Sequence, residues 1–176
     1  SGVTAEGRTL FNDVSPDLSR CHVEICEAAG RHGHPRKLLA INAATTLRVP
    51  IPEIISAPPR RAQTAQIVGL GSGLTPAGDD WLLGCALAAH LGFPTPRAAL
   101  LLESIRCAAP GTNPLSAGWL RAAVDGSCSQ FWHTFFSRGV QSDAVDQAVL
   151  SLVQQGHSSG ADALAGYVAL LEAGIS

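Results

Sequence analysis

The residues best suited to chemistry lie in one glycine-rich segment, Gly69-Leu-Gly-Ser-Gly-Leu-Thr-Pro-Ala-Gly-Asp-Asp80. Glycines at alternate positions let the backbone turn sharply and expose consecutive N–H groups. The Thr-Pro pair that follows is typical of a helix start, where unpaired N–H donors and partial positive charge favour anions. The segment therefore predicts a cradle for phosphate or carboxylate, with these candidate ligands: Gly71, Ser72, Gly73, Thr75 and Gly78.

Two adjacent aspartates, Asp79 and Asp80, follow in the first turn of the expected helix. Adjacent side chains point to different sides of a helix, and the next residues are strongly apolar. At least one carboxylate should therefore border the buried face, where it needs a partner or a ligand. The alternative is that the glycines only permit tight packing and Thr75 only caps the helix. Neither a Gly-x-Gly-x-x-Gly motif nor a Walker loop is present, so nucleotide binding is not indicated.

The pattern Gly-x-Asp-x-Leu-x-Gly occurs twice, over 78–84 and over 160–166. In each copy the aspartate and the last glycine share one helical face. The missing side chains at Gly84 and Gly166 would let a second backbone approach closely. We therefore expect the two helices to cross near these glycines and to bring Asp80, Asp162 and their loops together; the alternative is two independent packing motifs.

Two further loops carry candidate ligands. The segment Gly156-His-Ser-Ser-Gly160 precedes the second copy, and its histidine could act as an acid, a base or an anion contact. The segment Gly111-Thr-Asn-Pro114 is a third helix start. Helix capping or surface exposure is the alternative for each. The candidate catalytic residues are His157, Asp80 and Asp162, and the added substrate contacts are Asp79, Thr112, Asn113, Ser158, Ser159 and Gly160.

Residues that start and end helices recur along the chain. Capping residues before proline begin helix-length runs and glycines end them, while strand signals are poor apart from an extended segment at 47–55. The sequence predicts a single, compact all-α domain over 1–176, with two buried glycine-containing helices crossing near paired loops. The predicted helices span 16–29, 35–46, 59–68, 76–91, 96–108, 114–125, 129–137, 142–155 and 160–173.

Composition restricts the function classes. Of 176 residues 46% are hydrophobic, and the net charge of −2 argues against a nucleic-acid footprint. No apolar run reaches the length of about 20 residues that spans a bilayer, and five irregularly spaced cysteines indicate a reduced, cytoplasmic protein. The chain contains no methionine, so we expect a fragment or one part of a longer protein. Cysteine and histidine spacing does not indicate structural zinc.

The two motifs together resemble a bacterial family long labelled as a domain of unknown function. Its signatures have the form GLGxGLTPxGDD and GHxSGxD, and one member is a subunit of the oxamate carbamoyltransferase of anaerobic allantoin breakdown. The resemblance covers about 69–173, whereas 1–60 match only loosely. Ser72 stands where the family has proline, and Ala77 stands where serine is common.

The resemblance implies a component of a carbamoyltransferase-like enzyme that handles carbamoyl phosphate and a small carboxylate or amide such as oxamate. It assigns the anion to the glycine-rich segment and proton transfer or phosphate contact to His157. Asp80 and Asp162 would orient an amide or amine, or hold a divalent ion such as Mg²⁺, although no cofactor is required. Partner subunits or copies of the chain are expected. The alternatives are a non-catalytic assembly subunit and a module that binds a small carboxylate.

Overall fold

The computed structural model describes residues 61–92, 96–138 and 142–175. Within these ranges the chain is helical and contains no strand. The helices are α1 (Arg61–Ile67), α2 (Ala77–Gly92), α3 (Pro96–Ala108), α4 (Pro114–Val124), α5 (Gln130–Arg138), α6 (Ser142–Val153) and α7 (Ser159–Ile175), with a 3-10 turn at Ala109–Gly111 between α3 and α4.

The predicted all-α fold is confirmed for this part of the chain. Wherever a predicted helix end falls on a described residue, it lies within two residues of the observed end. The predicted helices 16–29 and 35–46 and the extended segment 47–55 lie outside the described residues. No helix in the described ranges is both long and apolar enough to cross a membrane.

Local chemistry explains the helix ends. The Asn113 side chain accepts hydrogen bonds from the N–H groups of Leu115 and Ser116, both at 3.1 Å, so it caps α4. Gly126 and Gly156 follow α4 and α6 with φ of 82° and 61°, a conformation that favours glycine. These caps fix the positions at which the loops of the candidate site enter and leave their helices.

Helices α2 and α7 form the centre of the fold and cross at their glycines, as predicted. A Cβ atom placed on Gly84 would lie 2.8 Å from both the carbonyl carbon of Ala163 and the amide nitrogen of Tyr167. A Cβ atom on Gly166 would lie 2.8 Å from the carbonyl carbon of Trp81. Each glycine therefore contacts the backbone of the other helix, and the two N-terminal turns are held side by side.

The remaining helices pack around this pair. Helix α4 lies against α2, and α5 packs on α6. Trp132, Phe135 and Phe136 of α5 form an aromatic cluster with Tyr167 of α7, with ring centroids 5.4 to 5.9 Å apart. Phe131 is about half exposed instead. Aromatic packing thus fixes α5 against the middle of α7.

Candidate functional site

The glycine loop, defined as Gly69–Thr75, has a backbone that other residues would strain. Gly69, Gly71 and Gly73 have φ of 74°, 120° and 103°. A Cβ atom on Gly71 would also lie 2.8 Å from the amide nitrogen of Ala77. The segment 71–74 is exposed, so its backbone is accessible to a ligand.

The start of α4 holds the glycine loop in place. The Leu74 carbonyl oxygen accepts a hydrogen bond from Asn113 Nδ2 at 3.0 Å and one from Ser116 Oγ at 3.3 Å. Asn113 therefore caps α4 and also fixes the loop. The loop at Gly111–Pro114 thus contacts the glycine loop through Asn113 and supports its backbone.

Asp79 is buried, at 2% exposure, and both of its carboxyl oxygens have partners within the chain. Oδ1 accepts a hydrogen bond from the Gly69 N–H at 2.7 Å, and Oδ2 accepts one from Thr112 Oγ1 at 2.5 Å. Hydrogen bonds to a charged acceptor are the stronger kind. Asp79 and Thr112 thus join the base of the glycine loop to the segment before α4, and direct substrate contact by either remains a prediction.

Asp80 differs from its neighbour. It is 5% exposed, and its Oδ2 atom is buried without a hydrogen-bond partner. Burial raises the pKa of Asp80 from 3.8 to about 6, hydrogen bonds from Ser159 and Thr75 offset part of this rise, and Asp162 and Asp79 add to it. Asp80 is therefore a buried carboxyl group with a raised pKa and one oxygen without a hydrogen-bond partner.

The glycine loop meets the second loop, defined as Gly156–Gly160, through their hydroxyl groups. Thr75 Oγ1 and Ser159 Oγ lie 2.7 Å apart, in hydrogen-bond contact, and both also bond Asp80. Gly160 packs against the C-terminal end of α6, where a Cβ atom would lie 2.8 Å from the carbonyl carbon of Leu152. The two helix starts are thus connected by a hydroxyl pair directly beside a buried carboxyl group.

Asp162 lies on the α7 side of the same arrangement, at 7% exposure. Burial raises its pKa, and a hydrogen bond from Ser158 offsets part of the rise. Its charge contributes to the raised pKa of Asp80, so the two aspartates are electrostatic neighbours, as the repeated pattern predicts. A carboxylate near a second carboxylate is harder to ionise, and this contributes to the raised pKa of Asp80.

A cavity of about 350 Å³, here called the Asp80 cavity, opens beside this cluster. Residues of α2, α4, α5, α7 and the loops preceding α5 and α7 line it. They include Asp80, Ser159, Trp119, Trp132, Cys128 and Gln155. Gln155 Nε2 is buried and has no hydrogen-bond partner, and burial raises the pKa of the Cys128 thiol to about 11. Two residues that line the cavity, Asp80 and Gln155, thus each carry a buried polar atom without a hydrogen-bond partner.

Comparison with known proteins decides the family. The family model for oxamate carbamoyltransferase subunit AllH matches residues 67–171. The chain belongs to this family. A search of curated proteins and a search of solved structures found no match. The matched range contains both loops and every residue that lines the Asp80 cavity, so the site lies within the family's shared region.

Other residues predicted for the site lie at its edge. Ser72, Ser158 and His157 are exposed, and His157 is not among the residues that line the Asp80 cavity. Its catalytic role therefore remains a prediction. Gly78 packs against the backbone of α1, because a Cβ atom on it would lie 3.1 Å from the Ile67 carbonyl carbon.

Sequence reasoning predicted only Asp80, Ser159 and Gly160 among the residues that line the cavity, and Trp119 and Gln155 are among those it missed. Gln155 directly precedes the second loop, and Trp119 lies in the helix that Asn113 caps. Their closeness in sequence to these two loops is the signal that could have identified them. Among the described residues, no three His, Cys, Asp or Glu side chains are grouped so that they could hold a metal ion. The possible divalent ion at Asp80 and Asp162 remains a prediction.

Proposed function

We propose that this chain supplies a substrate site to a carbamoyltransferase that uses carbamoyl phosphate and a small amide-bearing carboxylate such as oxamate. The single observation that carries the proposal is the cluster at the α2–α7 crossing. There, two loops meet through Thr75 and Ser159 beside Asp80, whose Oδ2 atom is buried without a partner. Membership of a family described as an oxamate carbamoyltransferase subunit supports this assignment.

The glycine loop suits the phosphate of the donor. Its exposed backbone turns at Gly71 and Gly73 directly before the N-terminus of α2, and Thr75 adds a hydroxyl group. Oriented N–H groups and a helix N-terminus stabilise an oxyanion without a large structural change during the reaction. We assign phosphate binding to this loop.

Asp80 suits the proton transfer that the reaction requires. The amide nitrogen forms a bond to the carbamoyl carbon, the bond from that carbon to the phosphate oxygen breaks, and the nitrogen loses a proton. A carboxylate with a pKa of about 6 is mostly ionised near pH 7 yet basic enough to accept a proton. We assign Asp80 as the residue that orients the amide and takes its proton; burial is the main cause of its raised pKa, and Asp162 adds to it.

A phosphate-release assay tests the proposal. Carbamoyl phosphate and oxamate are given to the full chain, alone and with the other subunits of its complex, with and without Mg²⁺. Asp80→Asn should lower the rate at least about 100-fold, as expected for loss of a general base. The matched control is Asp125→Asn, an exposed aspartate that pairs with Arg106 on the surface, which should keep the wild-type rate. An unchanged rate in Asp80→Asn would place the chemistry elsewhere.

A non-catalytic assembly role is the second candidate, because apolar side chains are exposed beside the glycine loop. Leu74 is 79% exposed at the tip of the loop, and Leu115 and Trp119 of the adjacent helix α4 are 45% and 50% exposed. Such a surface is typical of subunit contacts. Under this alternative the complex assembles through this face, and Asp80→Asn leaves phosphate release unchanged.

A further inference from the structure

We propose that the hydroxyl groups of Thr75 and Ser159 relay a proton from Asp80 to the phosphate that departs at the glycine loop. This inference deepens the function proposed above and rests on it, because a relay needs a proton source at one end and a leaving group at the other. Thr75 Oγ1 and Ser159 Oγ lie 2.7 Å apart and are here called the hydroxyl pair.

The hydroxyl pair lies between a buried carboxyl group and an exposed loop. Asp80 is 5% exposed, whereas Thr75 and Ser159 are half-buried and residues 71–74, directly before Thr75, are exposed. Both hydroxyl groups hydrogen-bond Asp80, and they also contact each other. A continuous set of hydrogen bonds therefore runs from Asp80 to the last residue of the glycine loop, the loop to which the phosphate is assigned.

The number of hydrogens in this cluster favours the movement of a proton through it. Three contacts join Asp80, Thr75 and Ser159 in a triangle, and each hydroxyl group has one hydrogen to donate. While Asp80 is ionised, two hydrogens serve three contacts. A proton on Asp80 supplies the third hydrogen, so that each group donates once and accepts once. Hydrogen bonds in such a network strengthen one another, and a proton that enters at Asp80 can leave from Thr75.

The described part of the site offers no second route for this proton. Among the described residues that line the Asp80 cavity, only Asp80 and Cys128 are titratable. Cys128 stays a neutral thiol, because burial raises its pKa to about 11. The neighbouring carboxyl groups of Asp79 and Asp162 accept hydrogen bonds from other residues. The hydroxyl pair is thus the path that these residues provide.

The relay balances the proposed reaction without an outside base. The amide nitrogen gives its proton to Asp80 as it bonds the carbamoyl carbon. Asp80 passes a proton to Ser159 Oγ, Ser159 passes its own hydrogen to Thr75 Oγ1, and Thr75 passes its own hydrogen to the phosphate oxygen that is freed when the carbon–oxygen bond breaks. The phosphate leaves as hydrogen phosphate, and the three side chains return to their starting states. Protonation of the leaving group is general acid catalysis.

Single-turnover rates with carbamoyl phosphate and oxamate test the relay in the wild-type preparation that releases phosphate. Ser159→Ala and Thr75→Val should each lower the rate at least about tenfold. Ser159→Ala should leave the dissociation constant of carbamoyl phosphate within about threefold of the wild-type value, because a relay acts on the chemical step. Thr75→Ser keeps a hydroxyl group and should recover most of the rate lost in Thr75→Val. The matched control is Thr134→Val, whose hydroxyl group bonds the Gln130 carbonyl within α5 and which should keep the wild-type rate.

The double variant distinguishes a relay from two independent contacts. Groups that act in series lose their path once, so Thr75→Val combined with Ser159→Ala should be no slower than the slower single variant. Losses that multiply in the double variant would overturn the relay. A wild-type rate in Ser159→Ala, or a loss confined to the dissociation constant, would overturn it as well.

Carboxyl NMR without substrate separates failure of the relay from failure of the proposed function. Ser159→Ala removes a hydrogen bond that lowers the pKa of Asp80, so that pKa should rise, whereas Thr134→Val should leave it unchanged. An unchanged pKa in Ser159→Ala would break the first link and overturn the relay, even where the wild type releases phosphate. A raised pKa in a protein whose wild type releases no phosphate would refute the proposed function and leave the hydrogen-bonded cluster established.

Discussion

The contact between α2 and α7 can be tested by adding one methyl group at its closest point. In Gly84→Ala the new Cβ atom would lie 2.8 Å from the carbonyl carbon of Ala163 and from the amide nitrogen of Tyr167, and closer still to the Ala163 carbonyl oxygen. Carbon atoms pack at about 3.5 to 4.0 Å, so the helices must separate by about 1 Å. Both contacts are backbone, so no side-chain rotation can relieve them.

The expected cost is at the upper end of overpacking, about 3 kcal/mol, partly offset by the gain of about 0.5 to 1 kcal/mol for alanine over glycine in a helix. The net loss is about 2 kcal/mol. The matched control is Gly118→Ala in α4, where a Cβ atom meets nothing within 4 Å. That variant gains the helix preference alone and should be stabilised by about 0.5 to 1 kcal/mol.

Urea unfolding of both variants, followed by far-UV circular dichroism, separates these effects. With a slope of about 2 kcal/mol/M, Gly84→Ala should lower the midpoint by about 1 M while Gly118→Ala raises it slightly. Opposite signs for two identical substitutions are the essential result. If both variants shift the midpoint upward, the backbones of α2 and α7 are not in contact at Gly84 and the reasoning about the crossing is wrong.

Three further predictions concern the carboxyl groups. Because burial raises the folded-state pKa of Asp80 from 3.8 to about 6, its contribution to stability is full below about pH 4 and is lost as the pH rises through about 6. Asp80→Asn should therefore be more stable than the wild type at about pH 7.5, by up to about 3 kcal/mol, and the difference in urea midpoints should disappear near pH 4; a constant difference would refute the raised pKa. Asp79→Asn should destabilise the fold by about 2 kcal/mol, because either the Gly69 N–H or the Thr112 hydroxyl group then faces an NH₂ group instead of an acceptor. Thr112→Val should cost about 1 kcal/mol, and thermal and urea unfolding measure both losses. An Asp79→Asn variant as stable as the wild type would contradict these hydrogen bonds. Thr75→Val removes a hydroxyl group that lowers the pKa of Asp80, so carboxyl NMR should show that pKa rising further; a fall would contradict the assigned contact.

The helices were predictable because their ends are encoded locally. Proline after a capping residue and glycine after an apolar run act within one turn, so Asn113-Pro114 and Gly126 mark the ends of α4 without knowledge of the fold. The crossing of α2 and α7 was also predictable. Two copies of one pattern each place a glycine on the same helical face as an aspartate, and glycine at the contact permits the close backbone approach.

The sequence does not show that the two adjacent aspartates, Asp79 and Asp80, differ in their hydrogen bonding. Asp79 is satisfied because the Gly69 N–H and the Thr112 hydroxyl group converge on it, one from ten residues before it and one from 33 residues after it. Asp80 lies beside a cavity that α4 and α5 help to line, and its Oδ2 atom is buried without a hydrogen-bond partner. The bonding of both aspartates depends on tertiary packing, whereas the helical periodicity of the sequence predicts only that a residue faces inward.

The central claim is that two loops, one before each crossing helix, form a single ligand site. The most direct test is a backbone-amide NMR titration of the full chain with carbamoyl phosphate in the presence of oxamate. Amides of the glycine loop and of the second loop should shift together and saturate with one dissociation constant, and Asp80→Asn should weaken binding at both loops. Shifts confined to one loop, or two different dissociation constants, would contradict it.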